Sequence, residues 1–532
     1  MRYQYIVVGG GSAGCVMANR LSEDPQHKVL LLEAGGWDKN PLIHIPAALP
    51  AVAPNMKHNW GYYTEPEAEL NGRKLFWPRG KVMGGSSSIN GMVYTRGNAG
   101  DYDRWADLGA TGWGYQDVLP YFRRVEANER GANTYHGDSG PLRVTRGRRT
   151  SELCDRFISA GQQAGFAFTD DFNGEHPEGF GDFDATVYKG RRWSTATGFI
   201  KPAVHRTNLK VATRAQATRI LWEGQKAVGV EYLQDGQLKK AYCEGEVVLS
   251  SGAINSPQLL ELSGVGNADR LRKLGIAVQA DRQQVGENLQ DHLCVCVMSR
   301  ITAPISHLKW LNPLRGLMVA SQYAFSRTGV AAQAPLSTGA FLKTDANLVY
   351  PNLQLHLTPA LVTSHDSSWP SEHGLTIYVN DGHPKSRGSI HIHSQDPTTH
   401  PTIAANYLTA DGDLEVLREG VKLTRDLLEQ PALKEIMGEA LDLAHGPATD
   451  AQVDAFIRAN SETVYHPVGT CRMGSDADAV VDPQLRVNGV QGVRVVDASI
   501  MPTLINGNTN APTIMIADRA ADLILGKSAL AA

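Results

Sequence analysis

The sequence predicts an α/β chain, α+β overall, in which a Rossmann-like nucleotide-binding domain is interleaved with a second domain built on a largely antiparallel sheet with helices. Three observations predict it. The chain opens as strand, glycine turn, helix, strand. Its middle alternates apolar and polar residues, the pattern of strands with one wet face. Its tail returns to a buried strand that delivers an acid, followed by a loop and a helix. At 532 residues the chain exceeds what one core fills, so two domains are expected. Residues 1–155, 205–300 and 456–532 are assigned to the nucleotide-binding domain, and 156–204 and 301–455 to the second.

Each element has a local reason. Tyr5 to Val8 is an apolar run and reads as a strand, Gly9 to Gly14 as the turn, Cys15 to Leu21 as a helix and Val29 to Leu32 as the next buried strand. From about Asn40 to Gly140 the chain is rich in glycine, proline and aromatics, which suggests loops laid over a ligand or a large irregular surface. Strands follow at Leu209 to Ala212, Ala227 to Leu233 and Val247 to Leu249. Ser256 as cap and Pro257 as first residue then start a helix that stops at Ser263-Gly264. In the middle, Asn352 to Leu357, Leu375 to Asn380 and Ser389 to His393 read as strands, and Asp413 to Gln430 as an amphipathic helix. Strand Val493 to Val496 and helix Pro512 to Leu525 close the chain.

The 51 basic and 55 acidic residues leave a net charge of -4, which gives no electrostatic ground for nucleic acid as a partner. The six cysteines are dispersed without a Cys-x-x-Cys pair, and the start shows neither a basic leader nor a long apolar region. A cytoplasmic protein is expected. No uninterrupted apolar run is long enough to span a bilayer, a property compatible with peripheral attachment to the inner face of the membrane. No metal is expected. Cys471 follows His466 without further ligands at zinc spacing, and His383, His391, His393 and His400 read as a solvated strand face.

Gly9, Gly11 and Gly14 form G-x-G-x-x-G, with Ser12 and Ala13 inside it and Glu33-Ala34 at the end of the second strand. The glycines permit a tight turn and close backbone approach, the helix start offers free N–H groups to a pyrophosphate, and Glu33 accepts from ribose hydroxyls. Glu33 would repel a 2'-phosphate, which disfavours NADP. NAD and FAD fit this unit equally.

Three further stretches narrow the choice: "RGKVMGGSSSIN" (Arg79 to Asn90), "YHPVGTCRMG" (Tyr465 to Gly474) and "NTNAPTIMIA" (Asn508 to Ala517). Together with "GAINSPQLLELSGVG" from Gly252, they resemble the glucose-methanol-choline oxidoreductase family, in order, from residue 5 to about 525. "NPLIHIP", "LNGRKLFWPRGK" and "VGENLQDH" are similar to its choline and aliphatic-alcohol dehydrogenase branch. The resemblance implies bound FAD. It places Trp60, Arg79, Met83, Gly84, Gly85, Ser87, Asn90, Gly91, Met92 and Val93 against the cofactor. Ala217, Tyr465, Asp497, Ala498, Asn508, Pro512 and Thr513 join them. Relatives that attach the flavin covalently carry a histidine where this chain has Ile89, so the FAD is expected to be noncovalent.

Oxidising an alcohol requires removal of a hydroxyl proton and a carbon-bound hydride. Imidazole titrates near neutrality, and Pro467 holds the preceding His466 off a helix, which suits a fixed base. The resemblance makes His466 the catalytic histidine, with hydride passing to flavin N5, and matches its partner to Asn510, which would orient the substrate oxygen. His292 is assigned a structural role between domains. The expected reaction is oxidation of a primary alcohol to the aldehyde, with oxygen or a quinone as electron acceptor, by a monomer or homodimer. Trp310, Trp60 and Phe341 are candidate substrate contacts, and no aromatic or acidic cage for choline is apparent. The alternatives are a flavin-containing hydroxynitrile lyase without net redox chemistry and an NAD-binding protein.

Overall fold

The computed structural model describes residues 2–362 and 371–530. Two seven-stranded sheets organise it. In the first, Leu209–Thr213, Val29–Glu33, Arg2–Val8 and Gln237–Leu249 lie side by side and parallel. The long fourth strand serves two partners. Its first part pairs antiparallel with Lys226–Gln234, which continues to Ala215–Glu223. Its last three residues, Val247 to Leu249, pair parallel with Val493 to Val495 from the far end of the chain. The central strands are apolar on both faces because both faces are covered: Ile6, Val7, Leu31 and Val248 are fully buried. Helices Ser12–Leu21 and Asn510–Ile524 pack on each other beside this sheet.

The second sheet runs Met437–Ala440, Leu293–Ile301, Gly374–Asp381, Leu353–Thr358, Thr338–Leu342, Gly179–Asp182, and Ser461–Thr463 also pairs with Leu293 to Val295. Every pairing is antiparallel. Helix Asp413–Leu428 covers one face with Leu417, Val421, Leu427 and Leu428. Gly420 permits the close approach, since a Cβ there would stand 2.6 Å from Val379 and 2.8 Å from Leu353.

Several boundaries differ from expectation. Leu293–Ile301 and Ser461–Thr463 belong to the second sheet, so the boundaries expected at 300/301 and 455/456 do not follow the strands. Ala196, Phe199, Ile200 and Ala203 pack into the first core. Cross-strand partners far apart in sequence decide the membership of the two strands, and core packing that of the helical residues. Ser389–His391 pairs with Thr402–Ala404 in a separate ribbon outside the main sheet. The helix expected from Pro257 runs from Gly252 to Leu262, with Pro257 inside it. Proline offers no N–H to the carbonyl four residues back, Ala253 O, and the Thr470 hydroxyl donates to that oxygen instead, at 2.6 Å. Ser256 is no cap; its Oγ donates to Asp497 Oδ2 at 2.6 Å. The last helix starts at Asn510, preceded by Thr509, whose side chain makes no capping hydrogen bond.

Candidate active site

A cavity of about 850 Å³ reaches from the glycine turn of the first sheet to the second sheet. Its two ends are built differently. At the turn the backbone does the work. A Cβ on Gly14 would lie 1.7 Å from Gly9 O, so only glycine lets this helix start so close to the strand. The helix has no side-chain cap, and Gly11, Ser12 and Ala13 line the cavity, which leaves first-turn N–H groups available to an anion. Glu33 accepts from Gly10 N at 2.8 Å and Gly35 N at 2.7 Å. Burial nevertheless raises its carboxyl to about 7.

The second glycine loop rests on the first: a Cβ on Gly85 would meet Gly11 Cα at 2.6 Å. Ser87 Oγ donates to Gly84 O at 2.6 Å and meets Thr195 Oγ1 at 2.9 Å, and Met83 N donates to Gly36 O at 2.8 Å. Met83, Gly84 and Ser87 therefore brace the wall from behind, Gly14 and Pro512 do not line the cavity, and the other residues expected at the cofactor do. Ile89 lines it as well. Asp497, raised by burial, accepts from Ser256, Ser499 and Gly252 N, which occupies both its oxygens.

At the other end, side chains from distant segments converge on His466. Asp291 Oδ1 accepts from His466 N at 2.6 Å, Arg79 Nη2 donates to Tyr465 O at 2.6 Å, and Tyr465 adopts φ +67. Val464 N donates to His292 O at 3.0 Å, so the "NLQDH" segment and the histidine loop are laced together. His292 is more than a spacer between domains. Its Nδ1 lies 2.9 Å from His466 Nδ1, and its Nε2 lies 3.1 Å from Gly382 O.

That chain fixes the tautomers. A carbonyl oxygen only accepts, so His292 Nε2 carries the proton. Burial holds His292 neutral, with its pKa lowered to about 4, so its Nδ1 is a lone pair. His466 Nδ1 must therefore donate, which leaves His466 Nε2 as an acceptor. His466 is itself shifted well below its ordinary value, by burial first and then by His292 and Arg79.

The amide at Nε2 belongs to Asn508. Its Nδ2 lies 3.2 Å from His466 Nε2, and its Oδ1 accepts from Thr95 Oγ1 at 3.1 Å. Gln354 Nε2, held by Asn380 on its other side, approaches the same oxygen at 3.5 Å. Asn510, the expected partner, instead accepts from Ser12 Oγ at 2.7 Å and joins the last helix to the glycine turn. Asn508 precedes the helix, whereas Asn510 is its first residue and is taken up by Ser12.

His356 lies in strand Leu353–Thr358. It lines the cavity at 2% exposure, neither ring nitrogen has a partner among the described residues, and burial lowers its pKa to about 3. A histidine at an inward position of "NLQLHL" was the available signal. Trp60 and Trp310 line the cavity, and Phe341 packs against Phe172 and Phe183 behind it. His391 is no solvated face: it is buried between Glu261 at 2.9 Å and Glu287 at 2.8 Å, which raise its pKa against the lowering effect of burial. Cys471 is fully buried, and among the described residues no cluster of metal-binding side chains occurs.

The chain matches the GMC oxidoreductase family in both its parts, over residues 3–294 and 384–517. This chain is a GMC oxidoreductase. It is 48% identical to the mitochondrial choline dehydrogenase of Homo sapiens, over 99% of this chain and 90% of that one. It is 44% identical to an oxygen-dependent choline dehydrogenase of Rhizobium johnstonii, over 100% and 97%. Among solved structures, pyridoxine 4-oxidase from Mesorbium loti superposes with a TM-score of 0.90 at 31% identity, over 99% and 100%. Membership makes the protein an FAD-dependent oxidoreductase acting on CH-OH donors. The cavity fits that cofactor: free helix N–H groups at Ser12 and a buried acid at Glu33 suit the dinucleotide half, and the Asn90 to Val93 backbone continues the wall toward His466.

Proposed function

We propose that the protein oxidises a neutral primary alcohol with an apolar tail to its aldehyde, and that His466 Nε2 takes the hydroxyl proton. The tautomer chain from Gly382 through His292 supports this, because it leaves that one nitrogen unprotonated and facing the cavity. Bound FAD supplies the two-electron acceptor for the carbon-bound hydrogen. Asn508 Nδ2 holds the substrate oxygen, stabilises the negative charge that grows on it, and cannot compete for the proton. His356 offers an unpartnered ring nitrogen to the same oxygen or a neighbouring one. Electrons then pass to oxygen or a quinone-type acceptor.

The alcohol's character follows from the wall. Among the described lining residues the carboxylates are Glu33 and Asp497, and the hydrogen bonds above commit both. A quaternary ammonium would enter without a free counter-charge. The outer part of the cavity carries Leu49, Leu308, Trp310, Leu336 and Leu361, which favours a hydrocarbon tail. Anaerobic mixing tests both points: an alkanol of six to eight carbons, on the order of a cavity-filling tail, should bleach the flavin absorbance at lower concentration than choline does. A flavin that stays oxidised with every alcohol would overturn the oxidation, and tighter reduction by choline would overturn the neutral substrate.

A further inference from the structure

We propose that helix Pro313–Ser326 is a docking element that lies in the surface of an anionic phospholipid bilayer. No residue of this helix is buried. Leu314, Leu317, Met318 and Phe325 are exposed by 76%, 66%, 70% and 93%. At 3.6 residues per turn these four fall on one stripe, with the partly covered Ser321 between them, and Gly316, Val319 and Tyr323, also partly covered, fall on the opposite side. The helix thus packs through a narrow inner seam and presents an apolar stripe outward. Scattered exposed apolar residues are ordinary; four aligned on one helix face are not.

Charge selects the occupant. Between 301 and 344 the chain carries Lys309, Arg315, Arg327 and Lys343 and no aspartate or glutamate, in a protein whose net charge is -4. Arg315 and Arg327 are exposed, Arg315 beside the stripe and Arg327 just past the helix end. Trp310, in the turn before the helix, has Lys309 Nζ 4.9 Å from its ring centroid. An aromatic ring and basic heads beside an apolar strip suit the headgroup region of an anionic membrane, whereas a second copy of this chain would set cation against cation. At 14 residues the helix is too short to cross a bilayer, and no described helix does so. Leu308, Trp310, Leu311 and Val319, from the same element and the turn before it, line the cavity that contains His466. Docking therefore sets the rim of that cavity against the lipid.

Co-sedimentation of the FAD-loaded enzyme with vesicles of phosphatidylcholine and phosphatidylglycerol tests this. Wild type should pellet with mixed vesicles, less with pure phosphatidylcholine, and less at high salt. The variant with Leu314→Ser, Leu317→Ser, Met318→Ser and Phe325→Ser should lose about tenfold or more in partitioning. Its flavin content and turnover of a soluble alcohol with an artificial acceptor should stay at wild-type levels. The independent variant Arg315→Glu with Arg327→Glu should lose the preference for anionic vesicles and covers the case in which the serine variant does not fold. Wild type remaining in the supernatant, or both variants pelleting as wild type does, would overturn the proposal. So would a dimer in sedimentation equilibrium that the serine variant abolishes while neither form binds vesicles, since the stripe would then be a self-association surface.

Discussion

The two ends of the cavity are made of different materials. The glycine-turn end is backbone: a strand, a turn with no room for a Cβ at Gly14, and helix N–H groups, all within about one βαβ unit. The His466 end is side chain: Gly382, His292, His466, Asn508 and Thr95 form one hydrogen-bonded chain although they come from five segments. The first end tolerates almost no change of shape and performs no proton chemistry. The second depends on a few atoms whose protonation is set by neighbours.

The largest test of that contrast is His466→Ala. Loss of the base should lower kcat by roughly 10²- to 10⁴-fold while FAD stays bound; loss of the flavin as well would mean that the two ends are not separable. Asn508→Ala should lower kcat by roughly 10²-fold, as for removal of one donor to a developing oxyanion. Asn510→Ala should spare kcat and weaken FAD retention, and steady-state rates with flavin absorbance distinguish the pair. His292→Ala should cost on the order of tenfold or somewhat more through lost orientation of His466, and His292→Gln, which can both accept and donate, should recover most of it. The pH profile gives a finer reading. Neutral His466 is the active form and its pKa lies well below the ordinary 6.5, so kcat/KM should persist as pH falls through 6.5 and decline only in stronger acid. The smallest signal concerns Ile89: acid precipitation should release yellow FAD into the supernatant, and colour kept in the pellet would show a covalent link.

Legibility in the sequence follows the same division. The turn, Glu33 and the first strands could be read because their geometry is local, and the resemblance supplied FAD and His466. Asn508 and Asn510 stand two residues apart in one motif, and only the start of the last helix decides which of them faces the imidazole. The inward position of His356 in "NLQLHL" and the place of His292 in "VGENLQDH" mark the residues but not their roles, which exist only once the second sheet has brought Gly382 and the histidine loop together. The second sheet's membership was blurred for the same physical reason: Leu293 pairs with Thr463, far along the chain, and no local pattern announces that partner.

The hydroxyl of Thr470 that completes the hydrogen bonding around Pro257 carries an evolutionary implication. Either substitution alone is unfavourable in one direction: Thr470→Val strands a buried carbonyl, at a cost of about 1 to 3 kcal/mol, and a proline arising at 257 without a hydroxyl at 470 does the same. The two positions form a lock of matched parts, one in the helix beside the cofactor half and one four residues after the base. Lineages that drift at 257 should drift at 470 too, so the histidine loop inherits constraint from a proline that never meets the substrate.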